Sequence, residues 1–196
     1  MAPYLTSALG SIRLIVRDFQ TLLEFVHPVD ANAAVYSHRT FELLLRSCTE
    51  FEALAKGGAV ERNLIAPSQQ PNINDLSPLY DALEIATTEV GMTMWHPETL
   101  FLRPLDGWKE QPHGLHWYRS YNSVKHNRSG RFSEATLHNV TLSIASCFLL
   151  LQRLGGYQLQ LERHVHHENN LVEWHFPDVP ITIRAPDNWG PATSFG

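Results

Sequence analysis

The sequence has little cysteine and no long apolar run, and its first residues lack the pattern expected of a secretion signal; each of these shortages argues against a class of protein. Its two cysteines, Cys48 and Cys147, lie inside periodic apolar segments, which indicates buried thiols in a reducing compartment rather than a disulfide. Uninterrupted apolar runs are only a few residues long, far short of the roughly 20 needed to span a bilayer. The N-terminal segment has no basic stretch ahead of an apolar core. We therefore expect a cytoplasmic protein that makes no contact with a membrane.

Motifs for several kinds of chemistry are also missing. The chain has no phosphate-binding glycine-rich loop, no Gly-x-Ser-x-Gly, no Cys-x-x-Cys and no His-Glu-x-x-His, which argues against nucleotide-dependent and zinc-dependent hydrolysis. His164 and His166 fall on one side of a possible strand and Glu168 follows, but the spacing supplies no fourth ligand. We predict neither a metal site nor a cofactor, and leave the roles of His164, His166 and His167 open.

Basic residues are few overall but concentrated in one segment. Fifteen Lys and Arg against 20 Asp and Glu give a net charge of −5, which argues against tight binding of nucleic acid through phosphate contacts alone. Residues 103–131 nevertheless hold six basic side chains and two acidic ones. A ligand that carries phosphate is therefore expected to bind around this segment.

Hydrophobic periodicity predicts a mainly α fold, in a chain of 196 residues that is long enough to bury a core. The predicted helices cover residues 4–26, 32–56, 74–89, 114–127 and 135–154, with Gly57-Gly58 and Gly155-Gly156 as stop signals. Residues 101–105 suggest a short extended piece, and residues 157–161 and 177–183 look extended as well. We predict a bundle of about five helices over residues 1–156, with residues 157–196 as an irregular or β-hairpin arm packed on it.

The fourth predicted helix has two chemically different faces. With Arg119 set at zero on a helical wheel, Asn122 falls at about 300° and His126 at about 340°. The apolar side chains of Trp117, Tyr121 and Val124 occupy the opposite side. The helix should therefore pack through its aromatic face and present Arg119, Asn122 and His126 away from the core.

These three polar residues are the candidate catalytic group. A helix C-terminus favours protonated histidine, which suits His126 for proton transfer, and the guanidinium of Arg119 matches a phosphate. Metal-free RNA cleavage needs a proton-transferring group and cationic donors. Lys125, Arg128 and Arg131 are the expected nucleic-acid-binding residues. Because one helix rarely supplies both a base and an acid, a homodimer would be needed to complete the site.

Arg119 and His126, separated by six residues, resemble the Arg-x4–6-His motif of HEPN domains (higher eukaryotes and prokaryotes nucleotide-binding). The resemblance extends over about residues 36–155 and includes the helix of residues 37–56, the run YNSVKHNR at 121–128, Phe132, Ala135-Thr136 and the apolar last helix. It implies a helical bundle that acts as a dimeric, metal-independent endoribonuclease in a toxin–antitoxin or anti-phage system, with Arg and His meeting across the dimer.

Other interpretations of the same residues remain open. Asn122, Lys125, His126 and Arg128 could be a polar cluster that only ends a helix. The bundle could be a non-catalytic protein-interaction module or accessory subunit, with a partner such as an antitoxin, or a small-ligand sensor with an anion site on the fourth helix. If bases stack on the protein, Trp108 and Trp117 are the tryptophans best placed beside the basic segment.

Overall fold

Four longer helices and a five-stranded sheet make up the part of the chain that the computed structural model describes, which is residues 2–110, 114–155, 164–168, 171–175 and 179–186. The helices are α1 Pro3–Leu23, α2 His38–Glu61, α3 Leu79–Ala82, α4 His116–His126, α5 Arg128–Arg131 and α6 Leu137–Gly155. The strands are β1 Glu89–Met92, β2 Leu100–Leu102, β3 His164–Glu168, β4 Leu171–His175 and β5 Ile181–Pro186. The prediction of a mainly helical bundle is confirmed for these residues.

Helix α1 buries one apolar stripe, as its periodicity predicts. Its buried residues are Leu5, Ala8, Ile12, Ile15, Val16, Phe19 and Leu22, whose spacing of three and four residues places them on one face. This face packs against α2 and α6. The helix ends at Leu23, so the prediction that it continues to residue 26 is too long by one turn.

Helix α2 starts later and ends later than predicted. Ser37 caps its N-terminus, since the Ser37 hydroxyl accepts from the Thr40 amide and the Thr40 hydroxyl accepts from the Ser37 amide. Gly57 and Gly58 lie inside the helix, so the predicted stop at this pair is wrong. A Cβ atom at Gly57 would come within 2.6 Å of the Tyr4 ring, and one at Gly58 within 2.6 Å of Leu154. The two glycines therefore allow α1 and α6 to approach α2 closely.

Helix α6 forms the centre of the bundle. It is buried around most of its circumference and packs mainly on α2. A buried hydroxyl pair, Ser47 and Ser143, joins the two helices at 2.6 Å. Among the described residues, α6 is also the one helix long and apolar enough to cross a membrane, yet most of it is buried inside the protein. That combination is expected for the core helix of a soluble protein.

The third predicted helix, over residues 74–89, is largely wrong. Only Leu79–Ala82 is α-helical, and a 3-10 turn follows at Ile85–Thr87. Between them Glu84 adopts a left-handed backbone conformation with φ of 49°, which breaks the α-helical path. The carbonyl of Leu83 accepts a hydrogen bond from buried Arg153, and the Glu84 carboxylate pairs with the same guanidinium. Tertiary contacts with α6 thus accompany the break.

The sheet joins the middle of the chain to its C-terminal part. Its order is β2-β1-β5-β4-β3, with all neighbours antiparallel. Strand β2 overlaps the extended piece expected at 101–105, and β3 with β4 forms a hairpin in the segment for which a β-hairpin or an irregular arm was expected. Strand β5 pairs with β1, placing Val90 opposite Ile183, and both side chains are fully buried. The extended segment expected at residues 157–161 lies outside the described residues.

Candidate functional site: a polar groove beside helix α4

Helix α4 packs through its aromatic face, as the sequence predicts. Trp117, Tyr121 and Val124 are buried, and the Trp117 indole donates to the carbonyl of Pro104 at 2.8 Å. The Phe51 ring from α2 lies edge-on to Trp117, with the ring centres 5.0 Å apart. This packing fixes the rotation of α4, so the polar side of the helix faces outward.

Burial rules out the two tryptophans considered for base stacking. Trp108 is only 1% exposed and Trp117 only 2%, and the indole N–H group of each donates to a backbone carbonyl, from Ile73 and Pro104 respectively. Both are core anchors. Base stacking on these two tryptophans, which the sequence left open, is therefore excluded by their burial.

Two of the three predicted catalytic side chains are freely exposed. Arg119 and His126 are exposed and Asn122 is half-buried. His126 lies seven positions after Arg119 on the helix, which corresponds to about 10 Å along the axis. Within the described part of the chain, the Arg119 guanidinium makes no hydrogen bond or ion pair, whereas most other arginines have a partner. Arg119 is thus available to a ligand.

Arg119 lies in a groove that also contains two histidines. The groove has a volume of about 810 Å³ and lies between α4, the turn before α6 and the segment after residue 32. It is lined by Ala33, Ala34, His116, Arg119, Ser120, Ser123, Ser133, Glu134, Thr136, His138 and Asn139. Asn122 and His126 are not among the lining residues. The structure therefore groups Arg119 with His116 and His138 rather than with His126.

Sequence reasoning missed the two groove histidines for different reasons. His116 is three residues before Arg119, so on the same helical wheel it falls at about 60°, on the polar side. The spacing between His116 and Arg119 could therefore have indicated that both lie on the polar side of α4. His138 belongs to α6 and reaches the groove only through the packing of α4 against α6, which no local pattern in the sequence reveals.

The environment of His138 favours its neutral form. Partial burial lowers the pKa of His138 below the ordinary value of 6.5, and the neighbouring His116 lowers it further, while Asp30 acts in the opposite direction. A neutral imidazole can accept a proton. His138 therefore has the protonation state required of a general base at neutral pH.

The N-terminus of α6 does not itself offer free amides to the groove. The Leu137 amide donates to Val35 at 2.7 Å and the His138 amide to Ala33 at 2.9 Å. The Asn139 amide donates to the Thr136 hydroxyl at 3.2 Å. These amides of the first turn of α6 already have hydrogen-bond acceptors within the protein. An anion in the groove must therefore bind to side chains, above all Arg119.

The three predicted nucleic-acid-binding residues all make contacts within the protein, each with a different partner. Lys125 donates to the Tyr121 hydroxyl at 3.1 Å, and this hydrogen bond is the main reason that its pKa is raised. Arg131 forms an ion pair with Glu134 at 3.1 Å, at the edge of the groove. Arg128 lies 4.6 Å from the centre of the Phe41 ring. Arg131 is thus connected to the groove through Glu134, which lines it, whereas Arg128 packs on α2 through Phe41 and Lys125 pairs within its own helix.

The histidine-rich segment forms an edge strand. His164, His166 and His167 belong to β3, and the register pairs His164 with His175 and His166 with Glu173. Among the side chains that the structure describes, no cluster of three possible metal ligands occurs; those of β3 are outside that set. Both cysteines are buried free thiols, in agreement with the expectation that they act as small apolar residues.

Comparison with known proteins adds no family or fold assignment. No protein-family model matches the chain, and neither a curated protein nor a solved structure matches it.

Proposed function

We propose that the protein is a HEPN-like, metal-independent endoribonuclease whose reaction takes place in the groove beside α4. One observation carries the proposal: an exposed arginine without a partner in the described structure lies in one groove with two imidazoles. A free guanidinium suits a phosphate, and two imidazoles suit proton removal and proton donation. The groove thus holds the groups that phosphodiester cleavage needs.

The proposed reaction is attack of the RNA 2′-hydroxyl on the adjacent phosphorus. His138 accepts the hydroxyl proton as the bond from the 2′-oxygen to phosphorus forms, and His116 gives a proton to the 5′-oxygen as its bond to phosphorus breaks. Arg119 stabilises the charge on the phosphoryl oxygens. The products are a 2′,3′-cyclic phosphate and a free 5′-hydroxyl, so atoms and protons balance without a metal ion.

Whether the reaction needs a dimer depends on which histidines transfer the protons. Because the groove brings two imidazoles together from one chain, a second subunit is not required for the acid–base pair. The HEPN resemblance implies instead that His126 and Arg119 meet across a homodimer, with Asn122 beside them. The two arrangements make different predictions for His126, and one set of variants separates them.

The test is cleavage of a mixed RNA pool by purified protein in EDTA, with the ends of the products identified. Arg119→Ala and His138→Ala should each lower the rate by roughly 100-fold or more, since acid–base catalysis and charge stabilisation have effects of that size. Arg13→Ala and His27→Ala, which change exposed residues outside the groove, serve as matched controls.

The outcome for His126 decides between the two arrangements. Loss of cleavage in His126→Ala, with His116→Ala retaining activity, would favour the dimeric site; the reverse would favour the groove of one chain. The absence of any cleavage by a well-folded parent protein would overturn the proposal. Metal-dependent cleavage that EDTA abolishes would overturn it as well.

A non-catalytic protein-interaction module is the second candidate, favoured by a separate observation. Phe25, two residues after the end of α1, is 82% exposed, and Leu14, inside α1, is 56% exposed. Large exposed apolar side chains on an otherwise acidic chain fit a protein partner, such as an antitoxin, better than RNA. A folded protein that neither cleaves nor binds RNA would support this candidate.

A further inference from the structure

An aromatic and cationic cluster lies next to the groove and has no role in the proposed chemistry. It consists of Tyr36, His38, Phe41, Arg128 and Phe132. The Phe132 ring contacts Tyr36 edge-on at 5.9 Å and is tilted against His38 at 5.0 Å and Phe41 at 5.6 Å. The cluster therefore links the start of α2 to the turn that leads into α6.

Arg128 is held in place within this cluster. Its guanidinium carbon lies 4.6 Å from the centre of the Phe41 ring and 5.8 Å from that of Phe132. Its Nη2 atom donates to Nδ1 of His38 at 3.1 Å. A guanidinium has five N–H donors, so this exposed side chain keeps donors for a ligand while stacking limits its motion. Such pre-organisation reduces the entropy lost when a phosphate binds.

Tyr36 provides an exposed aromatic surface near the same arginine, since the Phe132 ring contacts both side chains. It is 50% exposed, and its backbone forms a bridge with Thr136, which lines the groove. The cluster is thus continuous with the groove rather than a separate patch. A purely apolar partner would leave the N–H groups of Arg128 unpaired, whereas a nucleotide offers both a base for Tyr36 and a phosphate for Arg128.

We propose that Tyr36 and Arg128 form a subsite for a nucleotide of single-stranded RNA adjacent to the phosphate held by Arg119. The base stacks on Tyr36 and the phosphate of that nucleotide binds Arg128. This subsite rests on the proposed function, because it assumes that RNA enters the groove. Stacking on an aromatic ring tolerates any base, so the subsite recognises single-stranded RNA without strong sequence preference.

The test measures binding separately from cleavage. A fluorescently labelled single-stranded RNA of six nucleotides with 2′-O-methyl groups cannot be cleaved by 2′-hydroxyl attack, and its binding is followed by anisotropy in EDTA. Tyr36→Ala should weaken binding by about 5- to 100-fold, the range expected for loss of one stacked base. Tyr36→Phe should bind like the parent, because stacking does not require the hydroxyl group.

Two further comparisons identify stacking as the cause. Leu64→Ala removes another exposed apolar side chain, outside both the groove and the aromatic cluster, and should leave RNA affinity unchanged. An oligonucleotide with abasic sugars should bind the parent and Tyr36→Ala equally. Arg128→Ala should weaken binding of both oligonucleotides and reduce the salt dependence by about one phosphate contact.

The subsite and the ribonuclease proposal fail in different ways. Equal affinity of the parent and Tyr36→Ala for the base-containing oligonucleotide would overturn the subsite, even if the parent cleaves RNA. Binding that depends on Tyr36, in a protein that cleaves nothing, would support the subsite and overturn the proposed catalysis. Failure of the parent to bind the oligonucleotide would overturn the subsite.

Discussion

Replacing Phe51 by alanine tests how α4, and with it the groove, is held on the bundle. Phe51 is fully buried in α2, and its ring centre lies 5.3 Å from that of Trp108 and 5.0 Å from that of Trp117. It also contacts Tyr118 at 6.5 Å. Since Trp117 and Tyr118 belong to α4, this one ring connects α2 to the helix that carries Arg119.

The expected loss is large because the cavity would form between three aromatic side chains. Removing a buried phenyl ring lowers the free energy of unfolding by about 3–5 kcal/mol. For a chain of this length each kcal/mol corresponds to roughly 2–4 °C in Tm, so Tm should fall by roughly 6–20 °C. Urea unfolding followed by tryptophan fluorescence measures the loss of free energy of unfolding, because Trp108 and Trp117 lie beside the cavity.

Phe25→Ala is the matched control for the same chemical change. Its side chain is 82% exposed, so the free energy of unfolding should change by no more than about 0.5 kcal/mol. If Phe51→Ala cost less than about 1 kcal/mol, or no more than Phe25→Ala, the assignment of Phe51 as the anchor of α4 would be refuted.

Three smaller predictions concern local structure and pH. Gly10→Ala should stabilise the protein by about 0.8 kcal/mol in thermal unfolding, because Gly10 lies inside α1 with no atom within 4 Å of an added Cβ; destabilisation would contradict this. Ser37→Ala should cost about 1 kcal/mol through loss of the Thr40 capping box, and an unchanged urea midpoint would argue against the cap. The depressed pKa of His138 means that the unfolded chain binds its proton first as pH falls. Stability should therefore decrease below about pH 6.5 until His138 is also protonated in the folded state. His138→Asn should remove this part of the decrease, and an identical pH profile for the variant and the parent would refute the shift.

The sequence determined the main helices and the orientation of α4. Apolar residues recur at spacings of three and four positions within each helix, so α1, α2, α4 and α6 could be placed, with errors of up to six residues at their ends. The wheel that sets Trp117, Tyr121 and Val124 against Arg119 needs only the geometry of one helix. The side of α4 that carries the candidate site was therefore predictable, since it depends on local periodicity alone.

Only the tertiary structure decided which groups share the groove, because that depends on residues far apart in the chain. His138 meets Arg119 through packing of α6 on α4, and buried Trp108 contacts Phe51 of α2. Gly57 and Gly58 continue α2 because Tyr4 and Leu154 pack against them, although the same pair reads locally as a stop. Strand β1 pairs with β5, about 90 residues later in the sequence. Periodicity specifies which face of an element is buried, but the neighbour that covers it is chosen by packing across the whole chain.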